Sequence, residues 1–159
     1  MLTWGQLAAA EPELTATGRS LYYQVGVGLG FLATTRADGA ARVHPVCPML
    51  VEDGLYLFLI PSPKRNDLLR DSRCSLHSFP TDNNEDAFVV SGRAEPRDDA
   101  ALRRRCAAVW MEERKLDTEP PGFDREQLFE VLIDRCLATK TTGYGDYEPQ
   151  HTIWRAPPA

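Results

Sequence analysis

The feature that most limits the fold is the hydrophobic pattern. From residue 31 apolar side chains recur with a period of two, which is typical of β-strands. Residues 31–36 and 42–51 are predicted strands joined by a hairpin turn at Asp38-Gly39. A second turn at Asp53-Gly54 leads into a third strand at 55–60, which is apolar enough to lie inside a barrel. Because the turns are so short, consecutive strands must pair antiparallel, and the segment is predicted to be a β-meander.

The rest of the chain predicts more strands with short helices between them. Strands are predicted at 74–79, 87–95, 133–142 and 151–155, with a possible bulge at Gly92. An N-terminal helical segment is predicted over 1–24, where Thr3 and Gln6 form a capping-box pattern. Other helices are predicted near 63–70, 99–111 and 125–132, the last from a second capping-box pattern at Asp124 and Gln127. We therefore expect a mainly β protein: one domain over 1–159, with a six-stranded antiparallel split β-barrel at 29–156 and short flanking helices.

Composition narrows the classes of function. The 159 residues carry a net charge of −5, which argues against a general nucleic-acid binder. The four cysteines form no CxxC pair, so we expect reduced thiols and no metal site. The N-terminus lacks a basic region, and no apolar run approaches the ~20 residues of a membrane helix. We expect a cytoplasmic protein without a membrane partner.

The segment Ser62-Pro63-Lys64-Arg65 is the first candidate site. Ser62 is a good N-cap and Pro63 suits the first position of a helix. Cations at a helix N-terminus oppose the helix dipole, unless an anion binds there. Free N–H groups, a hydroxyl and two cations would suit a phosphate. An ordinary capped helix with solvated basic residues explains the spacing equally well.

A second candidate lies on the strand that contains Arg42 and His44, which point to the same face. Arg42 could add a charge to the same phosphate, and His44 could line a ligand cavity. Trp154 could pack on the core or a partner, or stack on a flat ligand. His77 and His151 are weaker candidates, and no catalytic triad can be assembled.

The order of these motifs over 31–155 resembles the pyridoxamine 5′-phosphate oxidase-like split barrels. The matching features are Arg42 with Pro45-Val46, Ser62 with Lys64, Arg73 with Ser75-Leu76, and the segments 90–95 and 151–155. The resemblance implies a homodimer with two FMN sites between the subunits. It implies that Lys64 and Arg42 hold the FMN phosphate, with Ser62 adding its hydroxyl. The residues that would face or close over the flavin ring are Val43, His44, Pro45, Val46, Leu59 and Ile60, with His77 and Trp154 from the other subunit.

The sequence departs from the oxidase itself in two places. Residues 151–155 lack the R-x-H motif with which the oxidase binds its substrate phosphate, and Ala87 stands where the oxidase has glutamine. We therefore do not expect oxidation of pyridoxamine 5′-phosphate.

Several functions remain open. The first is an FMN-dependent oxidoreductase that reduces a small unsaturated substrate, with NADH or NADPH as a candidate hydride source. A reductase that uses the deazaflavin F420, and a flavin- or haem-binding module without turnover, are the alternatives. An oligonucleotide-binding barrel is disfavoured by the acidic balance. Because the cofactor would carry the chemistry, the absence of an obvious catalytic side chain fits the first reading.

Overall fold

The computed structural model describes residues 1–157, which fold around antiparallel β-structure. The strands are β1 (Gly30–Thr35), β2 (Ala41–Val46), β3 (Met49–Val51), β4 (Gly54–Leu59), β5 (Arg73–Ser78), β6 (Ala87–Pro96), β7 (Gln127–Lys140) and β8 (Gln150–Arg155). The α-helices are α1 (Trp4–Ala10), α2 (Pro12–Tyr22), α3 (Pro63–Arg70) and α4 (Ala100–Glu113). A short 3-10 turn covers Phe123–Arg125.

The strands form one sheet in the order β2-β1-β5-β6-β7-β4-β3, with β8 also paired to β7. One edge of the long strand β7 pairs with β6, and its other edge pairs with two strands. Residues 127–130 of β7 pair with β4, and residues 135–140 pair with β8. The antiparallel sheet with short helices around it confirms the predicted split β-barrel. The described chain has eight strands instead of six, partly because the predicted strand 42–51 breaks at Cys47-Pro48 into β2 and β3.

The helix predicted over 125–132 is wrong. Only the 3-10 turn forms there, after Gly122 at a φ of 84°. The chain then enters β7, where Gln127 pairs with Leu59 of β4. Consecutive residues 128–131 are all buried, as expected for a strand covered on both faces. Pairing with strands far away in the sequence overrides the local capping pattern.

The predicted N-terminal helices form and pack against the barrel core. Both bonds of the Thr3–Gln6 capping box are present, and Pro12 is the first residue of α2. Trp4 and Tyr22 pack edge-on against Phe88 of β6, with ring centroids 6.1 and 5.7 Å apart. None of the helices within residues 1–157 is long and apolar enough to cross a membrane.

Two smaller predictions are also confirmed. The register of β6 against β7 shifts between Ser91 and Gly92, where a Cβ on Gly92 would lie 1.9 Å from the carbonyl oxygen of Leu132. All four cysteines are free, and only Cys47 is exposed. Burial raises the pKa of Cys74 to about 12, which keeps that thiol protonated at neutral pH.

Candidate functional site

A cavity of about 200 Å³ opens where β2 and β4 end, beside α3 and α4. It brings together five of the residues predicted from the sequence: Pro45, Val46, Leu59, Ile60 and Lys64. The remaining lining residues are Cys47, Phe58, Trp110 and Glu126. The walls are thus mainly apolar strand residues, with Lys64 and Glu126 as the charged groups.

The N-terminus of α3 is left without a side-chain cap. Ser62 occupies the N-cap position, but its hydroxyl donates to the carbonyl oxygen of Ile60 at 2.9 Å and does not accept from the helix. The predicted N-cap position of Ser62 is confirmed, but its hydroxyl leaves the N–H groups of the helix without a side-chain acceptor. Because Pro63 has no N–H, the first uncapped backbone donors are those of Lys64 and Arg65. Such donors, together with the helix dipole, favour an anion at this point.

Arg42 pairs with a residue of α3 and does not line the cavity. Its Nε donates to Asp67 of α3 at 2.7 Å, and Arg42 is not among the residues that line the cavity. Asp67 also accepts from Thr34 at 3.0 Å and from Arg70 at 3.3 Å. Arg42 thereby ties α3 to the sheet, a role that the sequence pattern did not suggest.

Glu126 is a functional candidate that the sequence analysis missed. Burial raises the pKa of Glu126, and the positive charges of Arg103, Arg114 and Lys64 partly offset that rise. The incorrect prediction of a helix over 125–132 gave no reason to place Glu126 at the cavity. The Glu126 side chain lines the cavity because the chain enters strand β7 directly after it. A carboxylate here balances part of the charge of Lys64.

The other predicted residues lie elsewhere. Val43 and His77 line a second cavity of about 400 Å³, on the face of the sheet that points away from the barrel interior. His44 is exposed on β2. Trp154 is partly buried, packs against the barrel core and stands opposite Cys136 of β7. The tryptophan that does line the first cavity is Trp110 of α4.

Replacing Arg42 with alanine should destabilise the fold by about 1.5–3 kcal/mol at pH 7, because the nearly buried Asp67 loses a charged hydrogen-bond partner. Burial alone would raise the pKa of Asp67, but hydrogen bonds from Arg42, Thr34 and Arg70 bring it below its ordinary value. A lowered pKa means that the stabilisation is complete above about pH 4 and is lost as the pH falls through the folded-state value. Urea unfolding of the wild type and Arg42→Ala should show a smaller difference in the free energy of unfolding in acid than at pH 7.

The matched control is Arg36→Ala, which removes an exposed ion pair to Asp38 at 3.8 Å. Exposed pairs contribute about 0–1 kcal/mol, so this variant should stay close to the wild type. Equal stability of Arg42→Ala and Arg36→Ala at pH 7 would contradict the anchoring role of Arg42.

No protein-family model and no curated protein matches the chain. Solved structures do match in shape. A haem-binding protein from Mycobacterium smegmatis has a TM-score of 0.59 at 18% identity, over 86% of this chain and 57% of that chain. This chain therefore spans a little over half the length of that protein.

Two further structures match over most of their own length. An F420 reductase has a TM-score of 0.56 at 17% identity, over 68% of this chain and 87% of that chain. A NimC/NimA family protein from Clostridium acetobutylicum has a TM-score of 0.59 at 13% identity, over 89% of this chain and 94% of that chain. At these identities the likeness shows the fold. The chain has a split β-barrel fold, and the solved structures that share it include a putative pyridoxamine 5′-phosphate oxidase from Listeria innocua, with a TM-score of 0.63 at 13% identity, over 79% of this chain and 98% of that chain.

Proposed function

We propose that the protein is a homodimeric flavin-binding protein that holds FMN with its phosphate at the N-terminus of α3. The observation that carries the proposal is the pair of uncapped N–H groups at Lys64 and Arg65, beside a cavity that Lys64 lines together with several apolar strand residues. Backbone donors and one ammonium suit a phosphate. Pro45, Val46, Leu59 and Ile60 would hold the ring system.

The size of the cavity supports a shared site. Ligand pockets usually enclose about 300–1,000 Å³, and this cavity has about 200 Å³ within one chain. A flavin would therefore be enclosed only after another surface covers the opening. A second copy of the chain is the partner we propose.

The outward face of the sheet offers the surface for that copy. Strand register places one row of side chains across six strands: Pro45, Phe31, His77, Val89, Leu137 and Ile153. The row is mainly apolar, and Ile153 is 51% exposed. Contiguous apolar residues on an open sheet face are a candidate interaction surface. Pro45 belongs both to this row and to the cavity lining, so a copy on this face would reach the cavity.

The proposed activity is reduction of a small unsaturated substrate. A bound flavin supplies the hydride chemistry, and the protein supplies binding, orientation and exclusion of water. Among the structural neighbours, an F420 reductase supports the deazaflavin alternative, and a haem-binding protein supports a module without turnover. Reduction of the bound flavin by NADH or NADPH at a catalytic rate would favour the FMN enzyme over that module.

Lys64→Ala tests the phosphate site. A charge-assisted hydrogen bond contributes about 1.5–3 kcal/mol, so the variant should bind FMN about 10- to 150-fold more weakly. Riboflavin lacks the phosphate and should bind with nearly the same affinity to both proteins. Isothermal titration of each protein with each flavin measures the difference. Unchanged FMN affinity in Lys64→Ala would place the phosphate elsewhere.

Two further variants test whether the effect of Lys64 on FMN affinity is local to the cavity or due to net charge. Glu126→Gln removes a negative charge from the cavity lining and should tighten FMN binding while leaving riboflavin nearly unaffected. Lys140→Ala removes a lysine at the opposite end of β7, where it pairs with Asp86, and should leave both affinities unchanged. An equal loss in Lys140→Ala and Lys64→Ala would mean that net charge, and not a phosphate site, controls affinity.

A further inference from the structure

Aromatic rings and arginines alternate beside the cavity. Phe123 packs between Phe58 and Trp110, with ring centroids 4.8 and 4.9 Å away. The guanidinium carbon of Arg114 lies 4.3 Å from the ring centroid of Trp110. That of Arg103 lies 5.0 Å from the centroid of Phe58. We call these five side chains the aromatic–arginine cluster.

Hydrogen bonds to the main chain fix the arginines of this cluster. Arg103 donates to the carbonyl oxygens of Glu126 and Phe123, at 2.5 and 2.8 Å. Arg114 donates to the carbonyl oxygen of Trp110 at 3.0 Å. The Arg114 guanidinium and the Phe123 ring both contact the Trp110 ring and hold it in place. A ring held in this way loses little conformational entropy when a ligand packs against it.

The helix that carries Trp110 is also anchored. Cys106 of α4 is fully buried in a cluster with Met49 of β3 and Tyr56 of β4, and Trp110 packs against the same cluster. Trp110 remains only partly buried, and it lines the cavity together with Phe58 and the strand residues. The indole is thus a positioned aromatic wall of a mainly apolar cavity.

We propose that Trp110 packs against the conjugated ring of the ligand that this cavity binds. The inference rests on the proposed flavin site and deepens it, because it assigns the ring contact to Trp110 of α4 and not to Trp154 of β8. The ligand class is a planar conjugated ring system. Phe58 and Trp110 offer that ring aromatic contacts, while Lys64 remains free to take an anionic substituent at the α3 end.

The test compares Trp110→Phe and Trp110→Ala with Trp154→Phe, which changes the tryptophan that the family resemblance assigns to the flavin ring. An indole in contact with a flavin quenches the flavin's emission by electron transfer, so bound FMN should become several-fold brighter in both Trp110 variants. Loss of the ring contact should also weaken FMN binding about 2- to 10-fold in Trp110→Ala. Trp154→Phe should match the wild type in both measurements. Trp110→Phe keeps most of the packing, so its FMN emission tests the contact even if Trp110→Ala is unstable.

The outcomes separate this inference from the proposed function. If the wild type binds FMN with the predicted dependence on Lys64, but both Trp110 variants match the wild type in emission and affinity, the inference is overturned and the flavin site stands. If FMN does not bind but hemin does, with an affinity and absorption spectrum that change in the Trp110 variants, the flavin function fails and the ring contact stands. If neither planar probe binds at 100 µM, a concentration on the order of a weak cofactor affinity, both are overturned.

Discussion

Replacing Val89 with aspartate is expected to convert the proposed dimer into a monomer. Val89 stands at the middle of the apolar row on the outward sheet face, between His77 and Leu137. An unpaired carboxylate buried in such an interface costs several kcal/mol, so the dimer dissociation constant should rise at least 100-fold. Light scattering at micromolar concentration should give one chain mass, 17.8 kDa, where the wild type gives twice that value.

The same variant should also bind FMN far more weakly, because Pro45 connects the outward face to the cavity. Tyr147→Asp is the control, since it adds the same charge at a side chain that is 99% exposed in the loop before β8. That variant should remain dimeric and bind FMN like the wild type. A wild-type protein that is monomeric at micromolar concentration would contradict the shared site.

The second large effect is expected from Phe88→Ala. Phe88 is fully buried, and Trp4 of α1 and Tyr22 of α2 pack edge-on against its ring. The backbone of α2 comes so close at Gly18 that a Cβ there would lie 2.5 Å from the Phe88 ring. Truncating a buried phenylalanine costs about 3–5 kcal/mol through lost burial and the cavity left behind.

Because domains of this size have a free energy of unfolding of about 5–15 kcal/mol, this loss is a large share of the total. Urea unfolding monitored by circular dichroism measures it. Tyr147→Ala should change the free energy of unfolding by less than about 0.5 kcal/mol. A loss below about 1 kcal/mol in Phe88→Ala would show that the two N-terminal helices are not docked through this ring.

The elements that the sequence predicts correctly are those specified by neighbouring residues. The Thr3–Gln6 capping box and the Asp38-Gly39 turn depend on residues within a few positions, and both occur where they are predicted. The segment 125–132 fails for the opposite reason. Its capping pattern is local, whereas its partners, such as Leu59 opposite Gln127, lie almost seventy residues away. Pairing energy from distant strands is not visible in a local pattern.

The candidate site shows the same division. The helix start at Pro63 and the cation at Lys64 can be predicted, because a proline and a serine mark the first turn. The pairing of Arg42 with Asp67 joins residues 25 positions apart, and the position of Trp110 depends on how α4 packs on β3. Neither contact has a local signature, so the sequence does not predict it.

The most direct test of the account is a crystal structure of the protein grown with FMN. The account predicts a two-fold symmetric dimer joined through the outward sheet face, with one FMN per chain. The phosphate should accept hydrogen bonds from the backbone N–H groups of Lys64 and Arg65, with the ring system against Pro45 and Val46. A saturated crystal with FMN bound away from α3, or with no FMN, would contradict it.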